Sequence, residues 1–73
     1  MSRLPSLKPR EVAAILKKER FVEIRRSGSH LVLRHPDGRE VVIPMHTREL
    51  KRPTLLAIVR QAGYTQESFL RLV

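Results

Sequence analysis

The sequence contains no cysteine among its 73 residues. This absence excludes disulfide bonds, thiolate nucleophiles and zinc sites with cysteine ligands, and it fits a reducing cytoplasm. No apolar run approaches the roughly 18 residues that a membrane span requires, and the first residues lack the apolar stretch of a signal peptide. Aromatic residues make up only 4% of the chain, which argues against docking at a membrane surface. We therefore expect a soluble, cytoplasmic protein.

Acidic residues are scarce relative to basic ones. The 15 Lys and Arg residues against 7 Asp and Glu give a formal net charge of +8. This charge attracts polyanions such as nucleic acids, although solubility alone also explains many small basic domains. The length favours one domain over residues 1–73. Because a chain of this size buries only about 60% of its unfolded surface, Rossmann and barrel enzymes are excluded.

Three segments show the spacing of helices. Pro9 suits the first position of a helix, and apolar residues then recur at helical spacing until the helix ends near residues 19–20. A second helix is predicted to start at Pro53 and to stop at Gly63. Thr65 then caps a short final helix.

The segment between the two main helices alternates apolar and polar residues, as strands do. A half-buried first strand is predicted over residues 21–26, and two more strands over residues 30–34 and 40–43. Pro36-Asp37-Gly38 joins the last two strands and has the composition of a tight turn, with glycine where a left-handed backbone is needed. These two strands therefore form a hairpin.

The hairpin turn determines which residues face each other across the two strands. A three-residue loop pairs His35 with Arg39, and the two residue numbers of every later pair then sum to 74. One face receives only apolar pairs and the other receives an oppositely charged pair, which supports this register. The apolar pairs are Leu31/Ile43 and Leu33/Val41, and the charged pair is Arg34/Glu40.

The order of elements is helix, three antiparallel strands, helix and short C-terminal helix, which is an α+β fold. With so few strands, the two main helices must cover one face of the sheet and leave the other open. The register places five hairpin residues on this open face: His30, Val32, Arg34, Glu40 and Val42. Val32 and Val42 are either ordinary surface residues or the apolar centre of a partner interface.

Three histidines are the candidates for proton transfer, because imidazole titrates near neutral pH. His30 lies opposite Pro44. If the third strand continues two residues, His46 becomes its diagonal neighbour on the same face, about 7–8 Å away, and the pair could bracket one phosphate. The turn sufficiently explains His35. Each exposed histidine is otherwise an ordinary solvated residue.

Several basic residues lie close to His30 in the predicted fold. They form either a phosphate-binding surface, which we favour, or a solvated rim. They are Lys17, Lys18, Arg20, Arg25 and Arg26. Ser27-Gly28-Ser29 lacks the further glycines and the following helix of a phosphate-binding loop, so a turn explains it. The three histidines lack metal-ligand spacing, and we expect no metal and no cofactor.

Several motifs occur together along this sequence. They are the helix followed by Phe21, Gly28-Ser29-His30 opening a strand, His35-Pro36-Asp37-Gly38, Val42-Ile43-Pro44 with His46, Leu50-Lys51 leading to Thr54-Leu55, and Gln61-Ala62-Gly63. Together they resemble the HicA-type toxins over nearly the whole chain. The strand-opening Gly-Ser-His followed by His-Pro-Asp-Gly is more specific than either motif alone.

The resemblance implies a fold similar to the double-stranded-RNA-binding domain, with the α-β-β-β-α order. It also implies ribonuclease activity on messenger RNA, inhibition by a HicB-like antitoxin, and a catalytic role for His30. His46 matches a position often occupied by histidine in the family and is a possible assistant in catalysis. The candidate RNA-binding residues are Lys17, Lys18, Arg25, Arg26, Gly28, Ser29 and Arg34.

Two positions depart from the family pattern. Arg20 stands where the family usually has glycine before Phe21, so the end of the first helix must avoid a left-handed backbone or accept strain. Arg52-Pro53 replaces the usual Lys/Arg-Gly. Neither departure touches the Gly-Ser-His motif, so both concern local geometry more than activity.

The leading hypothesis is therefore a metal-independent endoribonuclease in which His30 acts as general base on a ribose 2′-hydroxyl. A non-catalytic RNA-binding module would use the same basic surface without chemistry. A pure interaction protein would use the surface around Val32 and Val42 and would have no affinity for RNA. A cleavage assay separates the first two functions, and an RNA-binding assay separates the third.

Overall fold

The computed structural model describes residues 3–73. Met1 and Ser2 lie outside the described residues. They are part of the N-terminal segment for which the sequence predicts no signal peptide. The elements are α1 (Pro9–Lys18), β1 (Val22–Ser27), β2 (His30–Arg34), β3 (Glu40–Pro44), α2 (Arg52–Gln61) and α3 (Gln66–Leu70). The strands form one antiparallel sheet in the order β1-β2-β3. This architecture confirms the predicted α+β fold and its resemblance to the double-stranded-RNA-binding domain.

The β2–β3 hairpin has the predicted register. Its pairs run from Arg34 opposite Glu40 to His30 opposite Pro44. The loop closes through the backbone of His35, whose N–H donates to the Arg39 carbonyl at 2.8 Å and whose carbonyl accepts from the Gly38 N–H at 2.9 Å. Gly38 has a φ of 100°, as the turn requires.

The core lies between the sheet and the helices. Leu31 and Leu33 of β2 and Val41 and Ile43 of β3 are buried on the helix side of the sheet, as the register predicts. Both main helices contact β3. The other side chains of the core come from the helices and the segments that flank them: Leu4, Leu7, Val12, Ala13, Leu16, Phe21, Leu50, Leu55, Ile58, Val59, Ala62 and Phe69. Burial of this apolar surface is the main stabilising contribution to so small a fold.

Strand β1 differs from the prediction, because every one of its residues is exposed. Val22 is 58% exposed and lies opposite Arg34, so its side chain is on the open face and not in the core. The pairing with β2 shifts between Glu23 and Arg25, which leaves Ile24 without a cross-strand partner. The alternation of apolar residues correctly predicted a strand. The inference that this strand is half-buried was wrong, because β1 is an edge strand in which Val22 is on the open face and Ile24 is 41% exposed.

The open face also differs from the prediction at one residue. Val42 is 43% exposed, as expected, but Val32 is only 3% exposed although it lies outside the core cluster. Val32 is in the central strand, with Arg25 opposite it on one side and Val42 on the other. Residues on both neighbouring strands therefore flank Val32, and they shield its side chain from solvent although no helix covers this face of the sheet.

Both main helices end in the same hydrogen-bonded motif. At the end of α1, the Phe21 N–H donates to the Leu16 carbonyl at 3.0 Å and the Arg20 N–H to the Lys17 carbonyl at 3.2 Å. This motif places the residue after the C-cap in the left-handed region, where glycine is favoured. That residue is Arg20, with a φ of 75°, so the chain accepts strain at this position.

The β2–β3 loop is attached to the end of α2 through Arg39. Its Nη1 donates to the Ala62 carbonyl at 2.6 Å, and its guanidinium lies 5.3 Å from the ring centroid of Phe21 and 5.8 Å from that of Tyr64. The bond satisfies a carbonyl at the helix terminus that has no partner within the helix.

Thr65 caps α3 as predicted, by accepting from the Ser68 N–H at 3.0 Å. Among the described residues 3–73, none of the helices combines the length and the hydropathy of a membrane span.

Candidate functional site

A two-residue turn places His30 at the edge of the sheet. Ser27 pairs with His30, so the connection between β1 and β2 consists only of Gly28 and Ser29. Gly28 has a φ of 58° and Ser29 does not have a positive φ, which is the pattern of a type II′ hairpin turn. The Ser29 carbonyl accepts a hydrogen bond from the Met45 N–H, which attaches this turn to the segment after β3. His30 is therefore an exposed side chain on a well-braced backbone.

The register separates the two arginines of β1 that the sequence grouped together. Arg25 lies opposite Val32 and so shares the open face with His30, at a diagonal position about 7–8 Å away. Arg26 lies opposite Leu31 and is on the helix side of the sheet. Both arginines are exposed, and neither forms an ion pair within the described part of the chain. Of these two arginines, only Arg25 lies on the same face as His30.

Two other candidate cations already have acidic partners. Arg34 donates to one carboxylate oxygen of Glu40 from Nε at 2.9 Å and from Nη2 at 2.7 Å. Lys17 lies 3.9 Å from the Glu23 carboxylate, a loose contact between two exposed groups. The positive charge of Arg34 is thus largely offset on the open face. Lys17, Lys18 and Arg20 lie at the end of α1, which leads into the Val22 end of β1, whereas His30 pairs with Ser27 at the other end of that strand. The prediction that these three residues lie close to His30 was therefore wrong.

His46 is not positioned as the sequence predicts. Strand β3 ends at Pro44, so the two-residue continuation that would place His46 diagonally opposite His30 does not occur. The Met45 N–H bonds to Ser29, and the chain then leaves the sheet. His46 lies in the following loop and lines an open pocket of about 370 Å³ together with Lys8, Arg10, Met45 and Thr47.

Sequence reasoning missed Lys8 and Arg10 as candidate functional residues. The sequence shows them flanking Pro9 at the start of α1, where Lys8 is the N-cap residue. Only the fold brings them next to His46, which is more than 30 residues away in the sequence. A hydrogen bond of 2.8 Å from the Leu50 N–H to the Leu7 carbonyl joins the two segments.

His35 is part of a structural cluster, which agrees with its interpretation as a turn residue. Its ring packs edge-on against Phe21 with centroids 5.2 Å apart, and its Nδ1 accepts from the Asp37 N–H at 3.1 Å. The Asp37 carboxylate accepts from Arg39 Nε at 2.9 Å and 3.1 Å. Hydrogen bonds from the Arg39 side chain and from its backbone N–H lower the pKa of Asp37 to about 2. The same interaction raises the pKa of Arg39 above its ordinary value.

Within residues 3–73, the structure brings together no group of three or more His, Asp and Glu side chains that could hold a metal ion. The site therefore consists of one exposed histidine at a hairpin turn, one unpaired arginine on its face, and a neighbouring pocket lined by basic residues.

Comparison with known proteins identifies the family. The family described as HicA toxin of bacterial toxin-antitoxin matches residues 9–64 of the 73-residue chain. The matched range begins at the first residue of α1 and includes the whole sheet, α2 and Tyr64. No curated protein matches the chain. The chain therefore belongs to the HicA toxin family, and it is the toxin of a toxin–antitoxin system with an antitoxin as its partner.

Proposed function

We propose that this toxin is an endoribonuclease that cleaves messenger RNA and that His30 is its general base. The observation that carries the proposal is the position of His30, exposed at the first residue of β2 beside a braced turn, with Arg25 on the same face. An imidazole titrates near neutral pH, and a nearby guanidinium stabilises the negative charge that develops on a phosphate. The site is open, as a polymeric substrate requires.

The reaction uses the substrate's own hydroxyl as the nucleophile. His30 takes the proton of a ribose 2′-hydroxyl, and the 2′-oxygen attacks the adjacent phosphorus. A bond forms between the 2′-oxygen and phosphorus, the bond from phosphorus to the 5′-oxygen breaks, and the leaving oxygen takes up a proton from solvent or from a protonated side chain. The products are a 2′,3′-cyclic phosphate and a free 5′-hydroxyl. The reaction consumes no metal ion or cofactor.

The other candidate residues have supporting roles in this proposal. Arg25 binds the phosphate that is attacked, and the backbone of Gly28 and Ser29 positions the substrate next to His30. Lys18 and Lys17 contribute charge at the end of α1. Arg34 binds RNA only when it exchanges its ion pair with Glu40 for a phosphate, so its contribution is smaller.

The test is the cleavage of an mRNA fragment by the purified chain and by His30→Ala. Loss of a general base lowers the cleavage rate about 10²–10⁴-fold, and an exposed position predicts an unchanged thermal midpoint. His46→Ala is the control for the cleavage rate at saturating RNA, because it removes an exposed histidine that the fold does not place beside His30. Wild-type cleavage rates in a well-folded His30→Ala variant would contradict the assignment.

The nucleophile is tested with a substrate that carries one 2′-deoxynucleotide at a mapped cleavage position. We expect no cleavage at that position, and normal cleavage with 2′,3′-cyclic phosphate ends at unmodified positions in the presence of EDTA. Mass spectrometry identifies the end groups. Cleavage at the deoxynucleotide, or 5′-phosphate products that disappear with EDTA, would instead indicate metal-assisted hydrolysis. RNA that is bound but stays intact would indicate a non-catalytic RNA-binding module.

The proposed inhibitor is a HicB-like antitoxin that covers the open face. Cleavage should therefore stop when the antitoxin is added in equimolar amount, and it should resume when the antitoxin is removed by proteolysis. The chain is proposed to act in the cytoplasm, where its mRNA substrate is found.

A further inference from the structure

The loop after β3 and the start of α1 form a basic pocket. Two open cavities of about 370 Å³ and 200 Å³ share His46 as a lining residue. The larger one is lined by Lys8, Arg10, Met45, His46 and Thr47, and we call it the basic pocket. None of these residues belongs to the set of cations that the proposed reaction uses.

The basic pocket is next to the turn that carries His30. Met45 contributes to the pocket wall, and its N–H donates to the carbonyl of Ser29, the residue before His30. A polymer bound with one phosphate at His30 can therefore continue past Ser29 and Met45 into the pocket. A small substrate would occupy only the first of these positions.

The lining of the basic pocket favours an anion. Lys8 and Arg10 are cationic, Thr47 offers a hydroxyl, His46 offers an imidazole, and no carboxylate lines the cavity. Neither Lys8 nor Arg10 forms an ion pair within residues 3–73. The nearby Glu11 carboxylate is occupied by the Lys8 backbone N–H at 2.7 Å. The smaller cavity adds Arg48 and Lys51 along with one acidic residue, Glu49.

We propose that the basic pocket binds a phosphodiester of the RNA strand beyond the one that is cleaved, so that it holds the substrate in line with His30. The proposal rests on the proposed ribonuclease function and adds a second binding region to it. His46 is a binding residue here and does not transfer a proton. Because the pocket binds a remote phosphate, it contributes to the binding of substrate and transition state equally.

The test is the double variant Lys8→Gln with Arg10→Gln, measured with a 12-nucleotide RNA. We expect KM to rise tenfold or more with an unchanged kcat. A tenfold rise corresponds to the loss of about 1.4 kcal/mol of binding free energy. A 2′-O-methyl version of the same RNA offers no 2′-hydroxyl and reports binding alone. With it, the slope of log affinity against log salt concentration should fall by about 0.7, because the variant no longer neutralises the one phosphate in the pocket and each phosphate accounts for about 0.7.

The matched control is Arg60→Gln with Arg71→Gln, which removes the same charge at exposed positions outside the pocket. It should change KM by less than about threefold, because distant surface charges are screened at physiological salt. Equal effects of the two double variants would overturn the proposal in favour of net charge. A lower kcat with unchanged KM for the pocket variant would overturn it in favour of a catalytic role.

Three other outcomes identify different occupants. If the pocket variant cleaves RNA normally but no longer binds the antitoxin, the pocket is a protein-docking site and the proposal fails. If inorganic phosphate binds the wild type tightly and RNA affinity is unchanged in the pocket variant, the ligand is a free phosphate and the proposal fails. If the wild-type chain binds no RNA at all, the proposed ribonuclease function fails together with this inference, whereas every other failure leaves that function intact.

Discussion

Replacing Arg20 by glycine should stabilise this protein. Arg20 is the residue after the C-cap of α1, where the backbone turns into the left-handed region with a φ of 75°. It is the one non-glycine residue of the described chain with a positive φ. Gly63 occupies the equivalent position at the end of α2 with a φ of 89°. The same two hydrogen bonds form there, from the Gly63 N–H to the Arg60 carbonyl and from the Tyr64 N–H to the Val59 carbonyl. The two helix ends therefore share a backbone motif and differ in whether a Cβ is present at this position.

The magnitude follows from two opposing effects of removing the Cβ. The left-handed conformation costs a non-glycine residue about 1.5 kcal/mol, which Arg20→Gly recovers. Glycine gains conformational freedom in the unfolded chain, which reduces the benefit by about 0.7 kcal/mol. Because Arg20→Ala removes the same charge but retains the strain, Arg20→Gly should exceed Arg20→Ala by about 0.8 kcal/mol. Relative to wild type the gain is about 0.5 kcal/mol, since a cation near a helix C-terminus contributes about 0.3 kcal/mol.

The assay is thermal unfolding of the wild type and both variants followed by circular dichroism at one pH and salt concentration. A difference of about 0.8 kcal/mol corresponds to about 3–6 °C in Tm for a domain of this size. Arg20→Gly should unfold at the highest temperature of the three proteins. Equal midpoints for the glycine and alanine variants would refute the claim that backbone strain at this position is significant.

Three further perturbations test the site and the loop that supports the sheet. Arg25→Ala should reduce cleavage about tenfold, while Arg26→Ala, which removes the same charge on the opposite face, should have a much smaller effect; equal losses would contradict the role of the register. The pKa of Asp37 is lowered in the folded state from 3.8 to about 2, so its stabilising effect is complete above about pH 4 and is lost as pH falls towards 2. The difference in Tm between wild type and Asp37→Asn should accordingly be largest at neutral pH and should disappear only as pH falls below the folded-state pKa of about 2. Arg39→Ala should lower the free energy of unfolding by about 1.5–3 kcal/mol in urea titrations, because it leaves the Ala62 carbonyl without its charged donor; no change in the urea midpoint would count against this account of the loop.

Local sequence rules were sufficient to predict the elements and the hairpin. Pro9 predicted the start of α1, and Thr65 predicted the cap of α3. The Pro36-Asp37-Gly38 turn determined the β2–β3 register, because a defined loop length leaves only one alignment of the flanking residues. These features depend on the conformational preferences of a few consecutive residues. The sequence motifs around His30 likewise indicated the family.

Long-range packing decided what those rules could not. The burial of β1 depends on where the helices end over the sheet, and its pairing depends on a shift at Ile24, so the alternation of Val22 and Ile24 could not show which face they occupy. The same register separates Arg25 from Arg26.

The surroundings of His46 are a second case in which tertiary structure was decisive. Its distance from the sheet depends on where β3 ends, and its neighbours Lys8 and Arg10 come from the other end of the sequence. Hydrogen bonds between distant segments, Met45 to Ser29 and Leu50 to Leu7, bring these groups together. Sequence by itself determined which residue types and local conformations this protein has, because those depend on neighbouring residues. The tertiary structure alone decided which charges share a face with His30 and which line the basic pocket, because those depend on packing between segments far apart in the chain.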